Sequence, residues 1–274
     1  MSSTGDRMAI EDQREGLDES QAPLIEHLTE LRIRMMRSFA ALIVCFLGCW
    51  VFRKEIFAFL AQPLINVFEP RGIEQGLIIT SLTEQLYNDL RIAMYAGAFV
   101  AFPIIANQLW RFVAPGLYQD EKKAFWPFLV ATPILFGMGA ALFYYVVAPL
   151  AFGFLVDYSI AQNDAQLEIL PKVHEYYSIV IAMVFAFGIA FQLPVLLTLM
   201  GRAGLVSGDG LVNGRKYAVV AIIVAAAVLT PPDPITQIGL AIPLYLLYEI
   251  SIFLVRRVER KREEKLESEG YYDL

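Results

Sequence analysis

Two glutamates, Glu30 and Glu121, have surroundings suited to selecting a ligand by shape as well as charge. Each sits beside arginines or lysines and among Leu and Phe, at the edge of a long apolar tract. A carboxylate accepts a bidentate bond from a guanidinium, a geometry that an ammonium does not copy. Two such groups on one face are therefore suited to grip two adjacent arginines. The same carboxylates are equally able to neutralise Arg32, Arg34, Lys122 and Lys123 locally, and residue type alone leaves both readings open. A second pair lies inside apolar tracts, where polar side chains are expensive and mark function by default. Gln192, near mid-depth, suits a hydrogen bond to a passing segment or between helices. Glu249, a carboxylate well inside an apolar helix, is expected to face protein or a water-filled recess.

Other chemistries lack their residues. The two histidines, His27 and His174, fall on opposite sides of the membrane, and no H-E-x-x-H or G-x-S-x-G run is present, which argues against metal or Ser–His catalysis. Cys45 and Cys49 lie four apart in an apolar tract and read as small hydrophobes on one helix face. No basic stripe suggests nucleic acid, and nothing implies a cofactor. The expected class is a binding and assembly protein, not an enzyme.

The elements that must position these groups are membrane helices. The 274 residues are 57% hydrophobic and 18% charged, with mean hydropathy +0.52. A soluble domain holds about 45–50% apolar and about 25% charged residues. The apolar residues cluster into six tracts, near 36–52, 86–112, 125–147 (continuing to 156), 176–200, 217–229 and 235–255. The predicted fold is all-α with six transmembrane helices and both termini on one side. With the termini inside, every Lys and Arg falls on the cytoplasmic side except Arg53, Lys54, Arg71, Arg91 and Lys172. That bias predicts a multi-pass protein of a bacterial inner membrane. The expected organisation is a disordered cytoplasmic tail over 1–23, a membrane domain over 24–257 and a charged cytoplasmic tail over 258–274.

Helices five and six are expected to be short. Only about 21 Å of helix fits between Lys216 and Pro231 at 1.5 Å per residue, against a hydrocarbon core of about 30 Å. Prolines at 103, 127, 133, 149, 194 and 243 predict kinked, tilted helices and a concave scaffold. Short interfacial helices are expected in 53–85 and 157–175, a local ion pair or interfacial anchoring for Asp89 and Arg91, and surface positions for His174 and Glu175.

Three motifs carry a family resemblance. Before the first tract runs His27-Leu28-Thr29-Glu30-Leu31-Arg32-Ile33-Arg34; after the second, Phe112-Val113-Ala114-Pro115-Gly116-Leu117-Tyr118-Gln119-Asp120-Glu121-Lys122-Lys123. Between the last two stands Leu229-Thr230-Pro231-Pro232-Asp233, followed by Gln237 and Glu249. In order, spacing and position these resemble the TatC family, the multi-span receptor subunit of the twin-arginine protein translocase, over roughly residues 23–257. Gln192 departs from the glutamate many members carry there.

The resemblance implies a receptor for twin-arginine signal peptides and an assembly core for exporting folded proteins with the proton-motive force. Glu30 and Glu121 are the implied arginine-binding groups, with Arg32 and Arg34 orienting them or simply enforcing topology, and Phe112, Leu117 and Tyr118 lining the same patch. Thr230 and Gln237 resemble the polar cluster that engages single-span TatA- and TatB-like subunits, and a homo-oligomer within the complex is expected. The competing class is a secondary transporter or channel, but the two halves show no convincing repeat.

Overall fold

The structure, a computed structural model, describes residues 4–73, 76–81, 83–113, 126–161, 170–230 and 233–268, with side chains between 28 and 264 apart from those of 113 and 126. Ten α-helices follow in chain order: α1 (Thr4–Val51), α2 (Arg53–Phe68), α3 (Glu84–Val113), α4 (Trp126–Leu142), α5 (Ala148–Ala161), α6 (Val173–Ala190), α7 (Leu193–Arg202), α8 (Gly208–Asn213), α9 (Arg215–Leu229) and α10 (Pro234–Ser268). No strand occurs among the described residues. An isolated parallel bridge joins Ile78 to Lys172 and pins the segment after α2 to the start of α6.

Among the described residues, five stretches are long and apolar enough to cross a bilayer: Leu28–Val51, Glu84–Phe112, Pro127–Ala161, Val173–Arg202 and Pro234–Glu264. They match five of the six predicted tracts. The sixth, α9, has 15 residues, about 22 Å of helix. It is as short as expected. By contrast α10 is long, because its basic end from Arg256 onward continues as helix with an Arg260–Glu264 pair one turn apart.

Prolines divide the spans selectively. The third span passes from α4 through a π-helical turn, Phe143–Val147, into α5, whose second residue is Pro149. A wide turn there moves the preceding carbonyl away from the proline ring. The fourth span breaks at Phe191–Gln192, just before Pro194, so α6 and α7 are separate segments. Pro127 makes no kink: it lies at the start of α4, where a missing N–H costs nothing.

The predicted helix in 53–85 is α2, and its attachment follows from Pro63. That proline deprives the Phe59 carbonyl of its helical donor, and the Tyr144 hydroxyl donates to it instead, at 2.5 Å. Tyr176 and Tyr177 donate to the neighbouring carbonyls of Leu60 and Phe57 at 2.8 and 2.7 Å. Arg71, after α2, holds Asp157 of α5 with two bonds of 2.6 and 2.7 Å, and that contact raises the Arg71 pKa. No separate helix forms in the described parts of 157–175: α5 runs to Ala161 and α6 starts at Val173.

The core lies where α4, the π turn, α6 and α10 meet, around Phe136, Phe143, Phe187 and Leu240, all fully buried. Glycines let the helices approach, as small residues do in membranes. A Cβ on Gly97 of α3 would lie 2.7 Å from the Phe46 Cα of α1. Toward the face bearing Arg71, an apolar hollow of about 350 Å³ opens between α1–α3 and α4–α6, lined by Cys49, Phe59, Tyr95 and Phe185. Gly97→Val should therefore lower the thermal midpoint of the protein in detergent, by about 1–3 kcal/mol of stability. Gly48→Val, on the open side of α1, should leave that midpoint unchanged.

Candidate functional site

The close α1–α3 contact brings the start of the first span beside the end of the second. There a cleft of about 410 Å³ is lined by Thr29, Glu30, Ile33, Arg34, Gln108 and Arg111, among others. Positions 30, 33, 34 and 37 share one helical face, and Glu30 is half-buried on it. Its carboxylate is already engaged by the Arg34 guanidinium one turn further along. Arg32 is exposed and does not line the cleft; the arginine that orients Glu30 is Arg34. The i, i+4 spacing was the available signal.

Phe112 is half-buried at the end of α3, one residue beyond Arg111 of the cleft. Leu117, Tyr118 and Glu121 lie outside the described residues.

Gln192 occupies the break between α6 and α7. Its side-chain amide donates to the Thr132 carbonyl of α4 at 3.0 Å, while its Oε1 is buried without a donor among the described residues. Thr132, 1% exposed, also accepts from the Trp110 indole of α3 at 3.0 Å. The second, third and fourth spans are thereby tied at one polar point. Neither Trp110 nor Thr132 stood out in the sequence, where Trp reads as an interfacial anchor.

Glu249 is not a solitary mid-membrane carboxylate. It pairs with Arg215, the first residue of α9, at 2.8 Å and accepts from the Tyr245 hydroxyl at 3.0 Å. Because α9 is short, its basic end meets α10 at Glu249, about 24 Å from the start of α10. The carboxylate thus marks the edge of the hairpin's thin zone. At the opposite end, Asp233 caps α10 by accepting from the Thr236 N–H at 2.8 Å and from its hydroxyl. Thr230 is buried and turns its hydroxyl onto the Ala226 carbonyl at 2.8 Å. Gln237 is half-buried on the first turns of α10.

The remaining polar groups on the Arg71 face pair across helices. Asp89 accepts from Arg53 of α2 at 3.3 Å and from Gln85, whereas Arg91 meets His174 and Ser178 of α6 at 3.1 and 3.2 Å. The local Asp89–Arg91 pair does not form, since residues two apart point to different helix faces. His174 and Glu175 are exposed, as expected. No group of His, Cys, Asp and Glu able to hold a metal occurs among the described residues.

Long apolar helices around an apolar hollow, with a charged cleft at one end and a proline-bounded hairpin alongside, define a multi-pass integral membrane protein with a binding face rather than a sealed reaction chamber. Residues 26–243 match the family model "Sec-independent protein translocase protein (TatC)"; the chain belongs to the TatC family. It is 50% identical to a Sec-independent protein translocase protein TatC of Magnetococcus marinus over 90% of this chain and 89% of that one. It is 40% identical to the TatC of Aquifex aeolicus over 88% and 98%. A solved structure titled as the twin-arginine translocase receptor TatC superposes with a TM-score of 0.72 at 39% identity, covering 85% of this chain and 99% of that one.

The Arg215–Glu249 pair generates a test within this site. Glu249→Gln alone should lower thermal stability in detergent more than Arg215→Gln and Glu249→Gln together, because the single change strands a cation at the membrane edge. A double-mutant cycle reads that coupling; additive effects would remove the role given to the pair.

Proposed function

We propose that this protein is the twin-arginine signal-peptide receptor and assembly core of a Sec-independent translocase that exports folded proteins. The observation that carries this reading is the Glu30 cleft. It is a carboxylate on the rim of a membrane bundle, already holding a guanidinium, in a chain of the TatC family. An incoming arginine would replace Arg34 at Glu30. One guanidinium is exchanged for another, and no carboxylate is left unpaired at the bilayer edge. Glu121 supplies the second carboxylate for the adjacent arginine. Phe112, Leu117 and Tyr118 receive the apolar residues that follow.

The basic face is cytoplasmic and both termini lie on it, in the inner membrane of a bacterium. The acidic start and the charged end are solvated there. On this reading α9 is a sixth span that crosses a thinned bilayer. The edge of α9 and α10 near Thr230 and Gln237 receives the single helices of TatA- and TatB-like subunits. Thr230 contributes there by shaping the α9 terminus, since its hydroxyl is already bonded within the helix. Energy comes from the proton-motive force, and the pore comes from the added subunits.

Photo-crosslinking at positions 29 and 33, beside Glu30, with a twin-arginine precursor tests the receptor role. Glu121→Ala and Glu30→Ala should each abolish the adduct and export while the membrane level of the protein stays normal. Unchanged crosslinking and export in the double variant would overturn the site. A precursor with lysines at both arginine positions should bind about 10-fold or more weakly, as expected when bidentate bonds are lost; equal binding would remove the shape selection.

A further inference from the structure

The break at Gln192 has a second effect at the basic face. Beyond it, a cavity of about 270 Å³ lies between α4, α7 and the end of α10. Its wall is apolar, made by Phe128, Ala131, Val195 and Leu254. Its mouth carries Arg202, Arg257 and Lys261, and no acidic residue lines it among the described residues. Phe128 and Val195 belong to a small buried cluster separate from the main core.

The three cations are placed by the helices. Arg257 and Lys261 are one turn apart on the same face of α10. Arg202 is the last residue of α7, and its guanidinium carbon lies 4.7 Å above the Phe128 ring. Three described carboxylates on this side have partners of their own. Glu259 accepts from the Gly208 N–H at 2.9 Å, Asp209 holds Arg256 at 2.7 Å and Glu264 holds Arg260 at 3.3 Å. Arg257 and Lys261 have no carboxylate partner among the described residues.

We infer that this cavity binds an anionic glycerophospholipid of the basic-face leaflet, with its phosphate at Arg257 and Lys261 and an acyl chain along Phe128, Ala131 and Leu254. Two features together select that ligand. Converging cations at the end of a membrane span match a headgroup phosphate, and basic pockets between transmembrane helices are a known form of lipid recognition. The apolar wall directly beneath suits a hydrocarbon chain and gives a free anion or an acidic peptide nothing to fill it. The site lies between α4, α7 and α10 and shares no residue with the Glu30 cleft, so it stands or falls independently of the receptor reading.

Native mass spectrometry of the purified full chain, titrated with phosphatidylglycerol or phosphatidylcholine, tests the site. Phosphatidylglycerol should bind preferentially. Arg257→Gln with Lys261→Gln, both exposed positions, should weaken it about 20-fold, since each basic group near an anionic headgroup contributes roughly a factor of five. Arg257→Lys with Lys261→Arg should retain most of the binding. Ala131→Phe, which fills the wall and leaves every charge in place, should also weaken it. Equal affinity for the two lipids would overturn the proposal, as would unchanged binding in the Gln variant. Unchanged binding in Ala131→Phe would reduce the effect to surface charge and also overturn it. So would displacement of the lipid by millimolar inorganic phosphate, which would make the site one for a free anion.

Discussion

Inside hydrocarbon no water is available for a backbone N–H or carbonyl, so every interruption of a helix must be repaired by another part of the protein. That requirement governs this fold. The chain carries prolines within most of its membrane segments and in α2, and side chains bond to backbone carbonyls near some of these irregular points. Tyr144 serves the carbonyl that Pro63 leaves open. The Gln192 amide, at the break before Pro194, reaches across to α4. Thr198, Thr230 and Ser251 return their hydroxyls to carbonyls one turn back, as such side chains do when they face an apolar surround.

The functional surface inherits its geometry from that framework. The Gly97 contact closes α1 on α3 and so sets how near Glu30 lies to the end of the second span. On the other side, α2 is fixed by three tyrosine hydroxyls and by Arg71–Asp157. One end of the molecule is therefore a clamped cap, while the other offers charged cleft and cavity mouths to a ligand. A receptor for an extended, positively charged segment needs this asymmetry, since a rigid far side lets the near side exchange ion pairs without loosening the bundle.

Much of this was legible in the residues. Apolar run lengths located the five long spans and the deficit in the α9 segment, because bilayer thickness acts on each helix separately. The cap at Asp233 was legible too, being a local matter of one side chain and the next turn. Where a partner belongs to another helix, the one-dimensional reading failed. Asp89 and Arg91 are neighbours in sequence and bond to α2 and α6. Glu249 looked isolated because Arg215 is 34 residues away, and only the pairing of α9 with α10 brings them level. Arg32 and Arg34 were separable in principle, since only the second lies one turn from Glu30. The Trp110–Thr132–Gln192 point required the packing of three spans, which no periodicity encodes.

The α9–α10 hairpin has its two ends fastened by side chains rather than by lipid. Asp233 seals one and Arg215 with Glu249 the other. A strut fixed at both ends cannot stretch to suit its solvent, so on the proposed reading of α9 as a sixth span the acyl chains along this edge shorten toward about 22 Å of helix. On that reading the hairpin, and not the lipid, sets the thickness of the barrier along this flank.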